Sequence, residues 1–345
     1  MTIRLFRDGD RDGLISLLQM VFDGWHADPL SHWTWLYENN PQGKSSIAIA
    51  VEDGAIVASY SACPVLMHWG RQPTIVGLGI DAATHPGFRR RGLFEQVATT
   101  AIADAEKRGF GFILAYTPWG GASAVGQMEK LGFKRAFMVK RLVKVLNWPR
   151  AMASKLNLIG RPPTVAEVVA RIQATVTAES KHEIAVARGL TIERSGATSG
   201  STQEIRVEKS QPYVRWRYSE HPDTHYQVFS AVSPSRSPAY IVLTLRTDKS
   251  VTVGQILDVF GDDQSWSFLL RRLEKTLSAS GVVFLEAYVS QGHRAAAMMA
   301  AHGYRDRPYV VAGIIRPTSN ASPEGVELAS IADSWQTTLA DDASL

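Results

Sequence analysis

Along the first 145 residues the apolar positions change period in a definite order. "TIRLF" alternates Ile3 and Leu5 with Arg4, which predicts a short strand. "RDGLISLLQMVFDGW" carries Leu14, Leu17, Leu18, Val21 and Phe22 at helical spacing, with Asp10 or Asp12 placed to cap the helix. "SHWTWLYENNPQG" predicts a second short helix that ends before Pro41, since the residue preceding a proline avoids the helical region. "SIAIAVEDGAIVASYSACPVLMHW" reads as two strands around a turn at Glu52–Gly54, and "TIVGLGIDAATHP" as a third. After a Gly/Arg turn, "LFEQVATTAIADAEKRG" predicts a helix closed by Gly109. "FGFILAYT" is a buried strand, "GGASAVGQMEKLGF" a helix ending at Gly132, and "RAFMVKRLVKVL" a last strand. The predicted order is β-α-α-β-β-β-α-β-α-β.

From Trp148 to Val207 the periodicity weakens. "TVAEVVARIQATV" predicts a helix there, and "RSGATSGSTQ" a flexible loop. Then the first plan returns. "YQVFSAV" and "AYIVLTLRT" are strands, "VTVGQILDVFGDD" aligns with "TIVGLGIDAATHP", "VVFLEAYV" with "FGFILAYT", and "AAAMMAAHGY" with "GQMEKLGF". Trp35, Tyr37 and Pro41 recur at the same spacing as Trp216, Tyr218 and Pro222. The chain is expected to hold a first unit over 1–146, a linker with a helix over 147–204, a second unit over 205–317, and a flexible acidic tail over 318–345, where no Lys or Arg appears.

Composition narrows the class. The chain has 345 residues, 45% hydrophobic and 20% charged, as in an ordinary globular protein. A net charge of +4 argues against a nucleic-acid partner. The single cysteine, Cys63, excludes an intrachain disulfide, and no C-x-x-C spacing suggests a metal. No apolar run approaches the roughly 20 residues of a membrane span, and the amino terminus lacks the apolar segment of a secretory signal. A cytoplasmic location, without metal or membrane, is the expectation; the oligomeric state is open.

The densest chemistry lies in "HPGFRRRGLFEQV", between a strand and a helix. Backbone N–H groups at a helix start are unpaired, and the helix dipole adds positive potential, so a pyrophosphate fits there. Gly92 permits close approach of phosphate oxygens, and Arg89, Arg90 and Arg91 add charge-assisted hydrogen bonds. Neither a P-loop nor a G-x-G-x-x-G fingerprint is present. A merely solvated basic turn is the competing reading of the triplet.

In this setting the first half resembles the GNAT superfamily of acetyl-CoA-dependent N-acetyltransferases, whose signature is Arg/Gln-x-x-Gly-x-Gly/Ala between the fourth strand and the third helix. Here it reads Arg89-Arg90-Arg91-Gly92-Leu93-Phe94, with Phe94 in place of the small residue. "P-x-x-R-R-R-G-L" is similar to the enhanced-intracellular-survival group, whose chains hold several such units. The resemblance implies an α/β (α+β) fold of two tandem units, each a mixed, largely antiparallel sheet flanked by helices, the second degenerate. It implies acetyl-CoA or another acyl-CoA as co-substrate. Ala82, Ala83 and Thr84 would hold the pantetheine and acetyl group by their backbone, and Arg89 to Glu95, including Leu93 and Phe94, would hold the pyrophosphate. It also implies that the fourth and fifth strands part to make a slot for the thioester. The second half reads "DVFGDDQSWSFLL" at the loop, where Asp262 and Asp263 would repel a pyrophosphate.

An amine acceptor must lose a proton and the leaving thiolate must gain one. The family's usual acid, a Tyr in "Y-E-K-L-G-F", is Met128 here, and Gly121 stands where an Asn often binds the cofactor. A CoA-binding scaffold without turnover is therefore the alternative function. Asp81 is the candidate base. Strand alternation puts it on one face with Gly77 and Gly79, leaving space beside a charge, although Asp258 recurs at the matching place in the second half. Tyr116 could protonate the thiolate, with Tyr288 as its counterpart. Trp25, Trp33, Trp35 and Trp119 are read first as packing, with an aromatic wall for the acceptor, carried by Trp33 and Trp119, as the functional reading. The acceptor is expected to be a small-molecule or peptide amine.

Overall fold

The computed structural model describes residues 1–23, 25–156, 163–179, 184–186, 203–231, 239–248 and 250–341. The first half follows the predicted order: β1 (Thr2–Leu5), α1 (Arg11–Val21), α2 (Pro29–Trp33), β2 (Ser46–Glu52), β3 (Ala55–Trp69), β4 (Gln72–Thr84), α3 (Leu93–Lys107), β5 (Phe112–Pro118), α4 (Ala122–Leu131) and β6 (Lys134–Val145). The connection contributes α5 (Trp148–Lys155), α6 (Val165–Glu179), β7 (Ile184–Val186) and β8 (Ile205–Val207). The expected flexible loop at 194–203 lies outside the described residues except for Gln203. The second half contains α7 (Gln211–Val214), β9 (Gln227–Ala231), β10 (Ala239–Asp248), β11 (Val251–Gly261), α8 (Asp263–Ala279), β12 (Val282–Ser290), α9 (Arg294–Ala301), β13 (Arg305–Arg307) and β14 (Val311–Pro317), followed by α10 (Pro323–Ser330).

Among the described residues all strands belong to one 14-stranded sheet, ordered β1-β2-β3-β4-β5-β14-β6-β12-β11-β10-β9-β7, with β8 on β3 and β13 on β6. Every pairing is antiparallel except β4 with β5 and β11 with β12. The order reveals a strand exchange. From the second half, β14 inserts between β5 and β6, with Gly313 opposite Tyr116 on one side and Phe137 on the other. In return, the end of β6 lies between β12 and β13, with Leu142 opposite Ala287 and Asp306. Residues 311–317, assigned by sequence to the second unit, thus complete the sheet of the first. Edge hydrogen bonds that two separate sheets would leave open are satisfied across the join.

The duplicated aromatic phrase lies where the halves meet. α2 and α7 each run into one turn of π-helix, Thr34–Glu38 and Arg215–Ser219. The indoles of Trp35 and Trp216 stack with centroids 4.8 Å apart and planes 12° apart. Each indole N–H donates to the other residue's backbone carbonyl, at 2.8 Å both ways. Both rings are buried. One phrase is thus used twice because each copy is the other's partner.

Within the expected flexible tail, 318–345, the described residues up to Asp341 include packed and buried positions. Trp335 is fully buried, against Phe137 at 4.8 Å and Trp69 at 5.7 Å. Asp341 is buried too and pairs with Lys209 at 2.5 Å. Acidic composition signalled solvation only because its buried cation lies more than a hundred residues earlier.

α9 begins at a buried histidine. His293 Nδ1 accepts the Ala295 N–H at 3.0 Å, so the ring caps the helix in its neutral form. Burial pushes its pKa down to about 4. The unfolded chain binds a proton below about pH 6.5. Between those values the unfolded state holds the extra proton, so stability falls as pH drops. From pH 7 to pH 5, His293 is expected to cost about 2 kcal/mol. His293→Asn keeps a capping side chain that does not titrate. Urea unfolding at the two pH values should show a smaller acid loss in that variant; an equal loss would refute the assignment.

Candidate active site

The arginine turn connects β4 to α3. After β4 the chain passes through a short 3-10 turn, Pro86–Phe88, in which His85 Nδ1 accepts the Gly87 N–H at 3.1 Å. Arg90 and Gly92 both take left-handed backbone angles, φ 64° and 72°. Gly92 is the N-cap residue of α3 and offers no capping side chain. Leu93 is buried and anchors the helix start, while Arg89, Arg90, Arg91 and Gly92 are exposed. Arg91 stacks over Phe88 at 4.8 Å, and Arg89 reaches the Thr84 carbonyl at 3.4 Å. Three exposed arginines thus immediately precede a helix start that no side chain caps. Phe94, where the family pattern has a small residue, is half-buried and lies beside Gly126, where a β-carbon would meet its ring in ordinary contact at 3.5 Å.

The strands beside this loop fork. The pairing of β4 with β5 runs from Val76–Phe112 to Leu78–Leu114 and stops. Beyond it, Gly79 to Thr84 and Ala115 to Pro118 have no ladder bond to each other. Ala82 and Thr84 are half-buried and Ala83 is buried on the β4 side of this fork.

A bulge then reverses the expected orientation of Asp81. Ser61 faces Ile80 and Ser59 faces Ala83, so Asp81 and Ala82 together oppose Tyr60. Asp81 has φ 50°. An extra residue changes side-chain parity. The carboxylate consequently reaches Tyr37, whose hydroxyl donates to its Oδ2 at 2.5 Å with Ser61 Oγ 3.1 Å away. That is the face of Leu78 and Ile80, not of Gly77 and Gly79. The space beside the glycines is filled by Ile113, Phe110 and Tyr60. Burial, then the adjacent Asp81 charge, push the Tyr37 pKa up, so the phenol stays a donor. Tyr37 was missed in the sequence. Its signal was the joint recurrence of Tyr37 and Asp81 as Tyr218 and Asp258, which are also hydrogen-bonded.

The other candidates separate by sheet face. Tyr116 is half-buried on the α1 face, edge-on to Phe137 at 5.7 Å. Trp33 is buried on that face against Tyr37 at 4.4 Å, its N–H on Glu38 at 3.2 Å. Trp119 packs on the opposite, α3 face beneath Arg135 at 5.1 Å. The four tryptophans therefore do not form one wall. Met128 packs in the α3 layer. Cys63 is buried, its pKa pushed up to about 11 by burial, and His68 is bonded to Glu208.

In the second half the same place is closed. Asp262 caps α8 itself, accepting the Gln264 N–H at 3.3 Å and the Ser265 hydroxyl at 2.6 Å, and Asp263 pairs with Arg294 at 2.6 Å. β11 and β12 also part, after Ile256–Ala287. The carboxy-terminal segment enters there: Ser290 N–H donates to the Thr337 carbonyl at 2.8 Å, Val289 bridges Thr338, and Thr338 Oγ1 donates to Asp258 at 3.1 Å. Asp258 is buried against Lys209 at 2.7 Å.

One further cluster spans the halves. His26 Nδ1 and His32 Nδ1 lie 2.9 and 2.8 Å from the same oxygen of Asp223. The ligand atoms are close enough for a metal, within 4.8 Å of one another. The two rings, however, stack at 3.2 Å with planes only 9° apart. Imidazole lone pairs lie in the ring plane, so parallel rings cannot both aim at one ion. The cluster is better described as two imidazoles sharing a carboxylate, with burial pushing the pKa of both rings down.

An arginine turn at an uncapped helix start thus lies beside a parallel strand pair that forks. Residues 2–136 match the family model described as acetyltransferase (GNAT) domain. Solved structures share the fold across both halves. A GCN5-related N-acetyltransferase from Anabaena variabilis ATCC 29413 has a TM-score of 0.59 at 10% identity, covering 92% of this chain and 73% of that one. Eis1 from Mycobacterium abscessus has 0.57 at 10% identity, with the same coverage. Saccharomyces cerevisiae N-myristoyltransferase, with bound myristoyl-CoA, has 0.51 at 11% identity, covering 92% and 83%. No curated protein sequence matches the chain. Among the described residues no helix is long and apolar enough to cross a membrane.

Proposed function

We propose that this chain is an acyl-CoA-dependent N-acyltransferase that uses acetyl-CoA and passes the acetyl group to a small-molecule or peptide amine by direct attack on the thioester. The observation that carries the reading is asymmetric. Only the first half joins a cationic, uncapped helix start to an open fork; the second caps its helix with Asp262 and fills its fork with residues 337–341. Arg89 to Glu95 would take the pyrophosphate, and the backbone of Ala82, Ala83 and Thr84 the pantetheine arm. A backbone N–H at the bulge would face the thioester oxygen as charge develops. A fold neighbour that holds myristoyl-CoA supports the donor class. Isothermal titration of acetyl-CoA tests the reading; absence of binding at millimolar donor would remove it.

In this reading Asp81 accepts the proton of the acceptor amine, held in place by Tyr37. The amine nitrogen bonds to the acyl carbon, the C–S bond breaks, and its electron pair goes to sulfur. Asp81→Asn is an informative change because Asn tolerates the left-handed backbone and can still accept from Tyr37. It should lower kcat by roughly 100-fold with the acetyl-CoA Kd unchanged. An intact rate, read by free-thiol release with pooled amines, would retire Asp81 as the base.

A further inference from the structure

The crotch of the β4–β5 fork holds a buried phenol whose hydroxyl makes no hydrogen bond among the described residues. Tyr60 comes from β3, directly opposite the Asp81–Ala82 bulge, and is 1% exposed. Its hydroxyl occupies the position a side chain on Gly79 would take: a β-carbon built there collides with the phenol oxygen and would also lie 3.4 Å from Ala115. Gly79 and Ala115 are the first residues past the last ladder pair, Leu78–Leu114. The hydroxyl is thus set between the two strands where they begin to diverge. Its ring belongs to the α3 layer, edge-on to Phe94 at 6.2 Å, and Met128 packs in the same layer.

A buried hydroxyl without a partner costs about 1–3 kcal/mol. Such a cost persists in a fold when a ligand supplies the missing acceptor. The second half provides an internal control. By strand register, Ile241 matches Tyr60, since Tyr240 and Ala239 face Phe260 and Gly261 as Ser59 and Ala58 face Ala83 and Thr84. Ile256 matches Gly79 in the aligned "VGLGID" and "VGQILD". Both isoleucines are buried in the second core. Glycine and tyrosine occur together in the half that has the arginine turn, and a pair of aliphatic side chains in the half that lacks it.

We infer that Tyr60 is the hydrogen-bond donor to the leaving sulfur of acyl-CoA, supplying from β3 the contact that Met128 on α4 cannot make. This assignment rests on the acyltransferase reading above. When the amine displaces the thiol, the C–S pair collapses onto sulfur and the Tyr60 O–H bonds to the nascent thiolate. Tyr60 keeps its proton, and the proton shed by the amine leaves through the base. Burial holds the phenol's pKa well above its ordinary value, which makes it a donor and not a proton source. The assignment concerns Tyr60 as a group that touches the reacting atoms, whereas Tyr116 lies on the other face of β5.

The test is Tyr60→Phe in the full chain, with free CoA as the probe. The thiol pKa of bound CoA, followed by thiolate absorbance in the ultraviolet, should be lower in the wild type than in Tyr60→Phe by about one pH unit. Acetyl-CoA affinity should be unchanged, turnover with pooled amines should drop about 10-fold or more, and the melting temperature should hold or rise because an orphan hydroxyl is removed. Gly79→Ala gives a second variant: its methyl displaces the phenol and should reproduce the shift, and the double variant should be no worse than either alone. A purely structural phenol would alter melting and leave the bound thiol pKa alone. Unchanged thiol pKa in both variants, with CoA bound normally, would overturn this assignment by itself. Failure of the wild type to bind CoA would instead overturn the acyltransferase reading and take this assignment with it.

Discussion

Arg90→Glu combined with Arg91→Glu should weaken acetyl-CoA binding by about 100-fold or more while leaving the fold intact. Both side chains are exposed, so their replacement costs little packing. Each charge-assisted hydrogen bond to a phosphate is worth roughly 1.5–3 kcal/mol, and reversal adds repulsion where attraction was lost. Two such contacts amount to at least about 3 kcal/mol, which corresponds to the stated factor. Arg90 also holds a left-handed backbone, so a single Arg90 change mixes conformation with charge. Arg91→Glu alone should therefore accompany the pair. The wild-type affinity should fall with added salt, and the double variant should show a flatter dependence. Calorimetric titration at two ionic strengths reads both effects. Unchanged affinity in the double variant would place the pyrophosphate elsewhere.

The largest stability loss is expected for Trp216→Ala. Truncating a buried indole costs about 3–5 kcal/mol from lost burial and the cavity left behind. Here the same change removes the donor to the Trp35 carbonyl and uncovers the Trp35 ring. Urea unfolding should show a loss at the upper end of that range. Trp35→Ala should cost nearly as much, and the double variant clearly less than the sum, because each ring is the other's packing partner. Trp216→Phe keeps an aromatic face but not the N–H and should fall between. A loss below about 1 kcal/mol for Trp216→Ala would mean the halves are held by the strand exchange alone.

The Tyr60 and Asp81 positions show how much of the site could be read in advance. The arginine turn was legible because its parts are contiguous: a strand, three cations, a glycine and an amphipathic helix follow one another between Gln72 and Lys107. Asp81 was recognisable as a candidate, but its face was not. Strict alternation holds only while a strand has no bulge, and the bulge is set by the facing strand β3. Tyr60 looked like one more aromatic in a buried strand. What distinguishes it is Gly79 on the neighbouring strand, whose bare backbone lies against the Tyr60 hydroxyl, and the absence of a partner for that hydroxyl among the described residues.

By itself, the sequence determined the succession of strands and helices, the duplication, the arginine turn, and the lack of a matching turn in the second copy. These are local properties, set by periodicity, capping and charge over a few residues. Only the tertiary structure decided which strands pair, that β14 and β6 change places, that the acidic tail threads back to Lys209 and closes the second fork, and which side of the sheet Asp81 faces. Strand edges are chemically alike, so the choice of neighbour is made by long-range burial and register, which no short window of the chain contains.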